Sequence, residues 1–403
     1  MPAPILCLYE FVNAFPLEHS PQVNSSQWIH GEEEVVTSIL DWINLSLVPG
    51  LGLGGFWRLV KHFHSPAEVL RASEKEVLHV KGIKDRQIAG LFSAIDIRSR
   101  AEQELERLSV LGGVAVSFAD EAYPPLLQQL VDPPPVLYLL GQSELLRTPC
   151  VAVVGSRAAT SYGRRTAFNL SRSLAAMSVT VVSGLALGID AESHSGALAC
   201  GGNTVAVLGC GLDVVYPQQN KSLYAQIAER GALVTEYPLG TRPEGFRFPA
   251  RNRIIAGLSQ GVIVVEAARR SGSLITAQMA LDYGREVFAV PGQVDSCKSE
   301  GTHWLLQQGA KLVQRVEDIV VELDVPDTTT QTTTKALPQG SMKDIEPDAL
   351  ILLSYIEPYP LVRDVLLEKS GFTPARLSEL LLLLELDGLI EMLPGDKLRK
   401  IDS

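Results

Sequence analysis

The chain has 403 residues, 46% of them hydrophobic and 20% charged, with a formal net charge of −11. The length calls for two or three cores, and the composition excludes a disordered or fibrous chain. Five cysteines without a CxxC pair argue against a zinc site or a disulfide framework, and no apolar run reaches the roughly 18 residues of a membrane span, so the expectation is a cytosolic (cytoplasmic) protein without metal or cofactor. An acidic total weighs against a nucleic-acid partner, but between Arg242 and Arg285 seven arginines face three acids.

In chain order, residues 1–34 mix Pro, Ser, Asn and "GEEE" without periodicity and read as a mobile tail. Residues 35–104 read as a helical domain in which two similar pieces recur, "LVPGLGLGGFWRLV" and "HVKGIKDRQIAGL". Each runs from an apolar residue through a Gly turn into a helical pattern, suggesting paired helix-hairpin-helix units. Such turns can offer backbone N–H groups to a phosphate, but a small packing module needs the same pattern, and packing is the favoured reading. "GLGLGG" (residues 50–55) also fits G-x-G-x-x-G. Helical patterns flank it on both sides, so the dinucleotide reading fails for want of a βαβ unit.

Residues 105–323 repeat a rhythm of apolar strand, polar turn and helix. The strand candidates are residues 151–156, 179–184, 204–209, 232–237, 262–267 and 287–292. Runs this apolar, without alternation, predict strands covered on both faces, hence a mostly parallel, doubly wound, extended Rossmann-like α/β sheet. "AYPPLLQQLVDPPPVLYLLG" supplies a lead-in and an edge strand. In such a sheet ligands sit beyond the carboxyl ends of the strands, where helix starts present N–H groups. The candidates there are Ser156, Arg157, Thr160 and Ser161 after the first run, and Ser183, Gly184, Gly188 and Asp190 after the second. Ser271, Gly272, Ser273 and Thr276 follow the run ending in "VVEA".

The arginine cluster precedes that run. Guanidinium groups bind phosphates and an aromatic ring stacks on an unpaired base, so Arg247, Phe248, Arg251, Asn252 and Arg253 suggest single-stranded nucleic acid. One of the three arginines is expected to pair instead with Glu236, Glu244 or Glu266. Asp190 and His194 form a possible acid/base pair, but an Asp at a helix start is more commonly a cap. Cys210 lacks a basic partner and reads as a buried small residue. His303 reads as packing or capping.

Residues 324–344 are Thr- and Pro-rich and read as a linker. In residues 345–403 two helical patterns flank "KSGFT" and a short ribbon turns at Pro394-Gly395, the order of a winged helix. Its candidate recognition helix offers only Arg376 beside Glu379, Glu385 and Asp387, whereas major-groove reading wants several cations or amides. A protein contact or intramolecular packing is expected of it rather than duplex binding.

Six ordered motifs carry a resemblance: "GSR" (155–157), "SGLALGID" (183–190), "TVAVLGCGLDVVYP" (204–217), "FPARNRIIAGLS" (248–259), "VVEAARRSGSLITA" (264–277) and "VFAVPG" (287–292). Over about residues 115–320 the chain resembles the DprA/Smf family, bacterial DNA-processing proteins of natural transformation. The resemblance implies binding and protection of single-stranded DNA, loading of the RecA recombinase, action as a homodimer and no catalysis. By motif, Arg157 matches the phosphate-binding Arg of "GSR", Lys221 the Lys after "YPxxN", and Phe248, Arg251, Asn252 and Arg253 the "FPxRNR" segment. Many members have Asn where His303 stands. The flanking domains resemble the family's accessories, a SAM-like helical module and a winged helix. A rival class is the Rossmann-like phosphoribohydrolases, nucleotide enzymes with P-G-G-x-G-T-x-x-E at a comparable helix start. Here "SGSLITAQMALD" has no Glu at that spacing.

Overall fold

The computed structural model describes residues 37–93, 97–323, 346–356, 361–387, 389–393 and 395–400. The expected tail (1–34) and the expected linker (324–344) lie outside the described residues. The chain divides into two units, Met1–Thr329 and Thr330–Ser403.

Among the described residues six helices open the first unit: α1 (Ile39–Ser46), α2 (Gly52–Phe63), α3 (Pro66–Arg71), α4 (Glu74–Leu78), α5 (Asp85–Leu91) and α6 (Ile97–Val110). Their ends follow local chemistry. Ser65 accepts the Glu68 N–H at 3.1 Å to cap α3, and Ser73 with Glu76 forms a capping box on α4, which satisfies donors a helix start leaves orphaned. The two "GLG" and "KGIK" turns stand at the starts of α2 and α5, as the repeat suggests. Trp42 and Phe56 stack at 5.8 Å, and Trp57 meets Phe118 edge-on at 4.8 Å, so the aromatic side chains of the helices enter the same core as the sheet.

The sheet has nine strands in the order β1-β2-β6-β5-β4-β3-β7-β8-β9. They are β1 (Val114–Ser117), β2 (Val136–Gly141), β3 (Cys150–Val154), β4 (Thr180–Ser183), β5 (Thr204–Val207), β6 (Ala232–Thr235), β7 (Gly261–Val264), β8 (Glu286–Ala289) and β9 (Lys311–Leu312). From β6 to β9 every pairing is parallel. The helices between them are α7 (Pro125–Gln128), α8 (Ser161–Ala176), α9 (Ile189–Ala199), α10 (Lys221–Arg230), α11 (Arg247–Leu258), α12 (Gly272–Asp282) and α13 (Glu300–Gln307), and α14 (Glu317–Val320) follows β9. Along β3, Val151 and Val153 enter one core while Cys150, Ala152 and Val154 enter the other. Both faces being covered explains why the strands read as unbroken apolar runs.

Two details differ from the sequence reading. The expected edge strand, β2, is not at the edge, because β1 pairs antiparallel with it outside. And the strands stop about two residues before the apolar runs do. Those last residues leave the ladder to form the turns at the carboxyl edge.

The second unit contains α15 (Pro347–Tyr355), β10 (Leu361–Val362), α16 (Arg363–Ser370), α17 (Pro374–Leu386), β11 (Ile390–Leu393) and β12 (Lys397–Lys400). Gly371 ends α16 at φ +68°, the left-handed stop that glycine favours. Leu352, Leu366, Leu380, Leu384 and Leu398 form its core. The helix, helix and ribbon order is that of a winged helix.

Candidate nucleic-acid interface

The turns after β3, β4 and β5 converge with the start of α11 on one pocket. Arg157 comes from the first turn, Gly184, Ala186 and Leu187 from the second, and Gly209, Cys210, Tyr216 and Pro217 from the third; Phe248 and Arg251 close it from α11. Arg157, exposed, lies over the Phe248 ring with its guanidinium carbon 5.4 Å from the centroid. Phe248 stacks with Tyr216 at 5.4 Å and 28°. The Tyr216–Pro217 peptide bond is cis.

Arg251 is the buried floor of this pocket, 4% exposed. Its Nη1 donates to the Gly184 carbonyl at 2.8 Å and to the Val207 carbonyl, tying β4 and β5 to α11. Its Nε donates to Asn252 Oδ1 at 3.2 Å, so Asn252 orients the guanidinium. Gly184 is glycine because a Cβ there would lie 2.6 Å from Arg251 Nη2. Burial pulls the Arg251 pKa down; Asp190 pushes it back and Arg157 lowers it further. Among the described residues neither Arg157 nor Arg251 has a carboxylate within ion-pair distance. Two guanidinium groups thus face one cavity, with the buried Asp190 carboxylate acting on both from beyond ion-pair distance.

The other two arginines go elsewhere. Arg253, 6% exposed, is paired with Glu236 and donates to the Asp132 carbonyl at 2.6 Å. The structure places it away from the pocket: α11 turns successive residues by about 100°, so Arg251 and Arg253 leave opposite sides of the helix. Arg247 bonds Glu244 at 3.3 Å and packs over Tyr237 at 4.9 Å. Two arginines of the three therefore have carboxylates, where one was expected.

The serine-rich helix starts divide similarly. Ser183 is fully buried and its hydroxyl donates to the Val153 carbonyl at 2.6 Å, a bond within the sheet. Gly188, at φ +79°, packs against the Ser156 and Arg157 carbonyls and lets the two turns touch. Ser156 accepts from Lys298, whose Nζ is 3.4 Å from its hydroxyl, and does not line the pocket. The start of α8, offered by the sequence to an external anion, is already filled: the Glu266 carboxylate accepts the Thr160 N–H at 3.0 Å and its hydroxyl. Ser271 caps α12, its hydroxyl 2.8 Å from that of Ser273, and Thr276 is 1% exposed. With Gly272 these residues stand after β7, and none of the four lines the pocket.

Lys221 opens α10, exposed to solvent. Beside it Asn220 is buried, its Nδ2 donating to the Leu185 and Ala186 carbonyls at 2.9 and 3.2 Å, which fixes the α10 start against the β4 turn. Asn220 and Tyr216 were not singled out by the sequence reading. The "YPxxN" spacing was their only signal.

Asp190 and His194 do not form a pair. The Asp190 carboxylate accepts the Ala186 N–H at 3.4 Å; burial raises its pKa and Arg251 opposes the rise. His194 Nδ1 lies 2.7 Å from Thr204 Oγ1, and burial drives its pKa down to about 3. Burial pushes the Cys210 thiol up to about 11, against nucleophilic use. His303 Nε2 sits 3.1 Å from the Gly292 carbonyl and braces that loop. Among the described residues no group of three or more His, Cys, Asp or Glu could hold a metal, and no helix is long and apolar enough to cross a membrane.

Comparisons with known proteins converge. Residues 114–324 match the family model of DNA recombination-mediator protein A, and residues 333–396 match the DprA winged helix domain. Protein Smf of Synechocystis is 34% identical over 385 residues, spanning 88% of this chain and 96% of that one. The DNA processing protein DprA of Streptococcus pneumoniae is 47% identical over 208 residues, 52% of this chain and 73% of that one. The X-ray structure of the Streptococcus pneumoniae protein superposes with a TM-score of 0.63 at 37% identity, covering 70% of this chain and 97% of that chain.

Proposed function

Since the chain belongs to the DprA/Smf family, we propose that it binds and protects single-stranded DNA, with the backbone in the Arg157–Arg251 pocket and bases stacked on the Tyr216–Phe248 platform. The observation that carries this reading is the pair of guanidinium groups, neither in a direct ion pair, beside two stacked rings. A phosphate entering there offsets the repulsion between Arg157 and Arg251, and unpaired bases find aromatic faces. Lys221, at the start of α10, extends the cationic path. Arg251 acts as both floor and positioning residue, and Arg247 belongs to the rim.

The same reading includes transfer of the strand to the RecA recombinase and action as a homodimer during DNA uptake, both supported by the family resemblance. It assigns no catalytic step. Residues 35–104 act as a helical module, residues 105–323 as the DNA-binding Rossmann-like body, and residues 345–403 as a winged helix that contacts protein. In that last domain Arg376 is held by Glu346, Asp348 and Glu379, which leaves its one recognition-helix cation neutralised.

The test is a fluorescence-anisotropy titration of labelled single strands over a salt series with wild type and Arg157→Ala. Loss of one phosphate contact lowers the slope of log affinity against log salt by about 0.7. An unchanged slope and affinity would place the strand elsewhere, and turnover of nucleoside monophosphates by the purified protein would favour a nucleotide enzyme instead.

A further inference from the structure

The two hairpins of the N-terminal helices lean on each other reciprocally. Arg58 of α2 donates from Nη1 to the Gly82 carbonyl at 3.0 Å. Arg86 of α5 lies over Gly50, where a Cβ would meet its Nε at 3.2 Å. Gln87 Nε2 donates to the Leu51 carbonyl at 2.6 Å, locking α5 onto the first turn. Both turns bend through left-handed glycines, Gly50 at φ +76° and Gly82 at φ +83°. Two equivalent exposed turns therefore stand side by side with their roles exchanged.

Four exposed cations surround them: Arg58, Lys81, Lys84 and Arg86. Among the described residues none of the four makes an ion pair, and Asp85 is the only acid within residues 49–58 and 81–86. In a chain of net charge −11, an unneutralised cluster of this kind marks a surface that meets an anion. Packing accounts for Arg58 and Arg86, which touch the opposite turn. It does not account for Lys81 and Lys84.

The turns themselves, residues 49–54 and 81–86, contain no aromatic residue. Trp57 points to the sheet and donates its Nε1 proton to the Pro133 carbonyl at 2.9 Å. The turns thus offer no aromatic platform to an unpaired base, in contrast to the Tyr216–Phe248 pocket. We infer that the paired hairpins bind the backbone of double-stranded nucleic acid, one turn to each strand, by phosphate contacts that do not read sequence. The exchange relation of the turns suits two antiparallel strands, and the Gly turns let the backbone approach closely. The first turn of α2 adds unpartnered N–H donors to one of the two sites.

This inference is independent of the single-strand reading, and one experiment separates them. The full chain is titrated with a labelled blunt duplex and a labelled single strand of equal length, from about 50 to about 200 mM salt. Lys81→Ala/Lys84→Ala is expected to lower the duplex slope by about 1.8, two contacts at about 0.9 each, to leave single-strand binding where it was, and to unfold at the wild-type temperature. Lys81→Arg/Lys84→Arg restores the slope. Arg157→Ala does the opposite, weakening single-strand binding and sparing the duplex. The inference is overturned if the wild type does not bind duplex, if the alanine variant keeps the duplex slope, or if it loses duplex and single strand alike.

Discussion

Arg253→Ala is expected to damage the fold rather than a DNA contact. Arg253 is buried and paired with the largely covered Glu236, and Tyr123 and Tyr283 lie within electrostatic reach of the arginine. Removing one partner of a buried pair leaves an uncompensated charge and costs about 3–5 kcal/mol. The assay is urea unfolding followed by circular dichroism, with single-strand affinity measured where the variant is fully folded. The sign of the pH dependence is also set. Burial already raises the Glu236 pKa, and Arg253 holds it back, so without Arg253 it rises further. A raised carboxyl makes the folded state bind its proton above the pH at which the unfolded state does. Stability of the variant therefore falls as pH rises between the two pKa values, and its deficit shrinks in mild acid. Arg253→Met/Glu236→Leu is expected to recover most of the loss, because neither charge remains. A fully stable Arg253→Ala protein that has lost single-strand binding would refute the assignment.

Three further outcomes follow from the geometry. Tyr216→Ala is expected to weaken single-strand binding by about 1–3 kcal/mol with the salt slope unchanged, and Tyr216→Phe to keep it, since stacking needs the ring and not the hydroxyl; a fall in slope would make Tyr216 part of the phosphate path. His194, held neutral with its pKa near 3, takes up its proton on unfolding, so wild-type stability falls as pH drops from about 6.5 toward 3; His194→Gln should flatten that part of the stability curve in calorimetry, and an unaltered curve would count against it. Removing residues 345–403 is expected to leave single-strand affinity unchanged in anisotropy, whereas a large loss would make the winged helix a DNA reader.

The parallel sheet was legible because each strand is covered on both faces, which leaves a run such as "VAVV" with no polar alternation to confuse it. β1 was not, since a four-residue strand with an exposed first residue resembles any helix-to-strand connection. At the site, spacing placed Arg157, Phe248 and Arg251 together, because family motifs and the carboxyl edge of the sheet both point there. What spacing could not show is direction along a helix. Arg251 and Arg253 are two residues apart and end on opposite sides of α11, one under the pocket and one in the core. Hydroxyls are hard to read for a related reason: Ser183, Ser273 and Thr276 look like ligands in sequence, and in the structure each bonds a neighbouring backbone or side-chain group. Glu266 was the missed signal, a carboxylate already seated where an anion was expected.

The aromatic seam between the N-terminal helices and the sheet has a mechanical consequence. Trp42, Phe56, Trp57 and Phe118 form one cluster, and on α6 Glu104 accepts the Leu239 N–H at 2.5 Å while Arg107 bonds Asp213 at 3.2 Å. Asp213 belongs to the same connection as Tyr216. These contacts tie the helices directly to the connection that carries the stacking platform. A chain cut after residue 104 would not free two working pieces; it would expose the Trp42, Phe56 and Trp57 rings on one and Phe118 on the other.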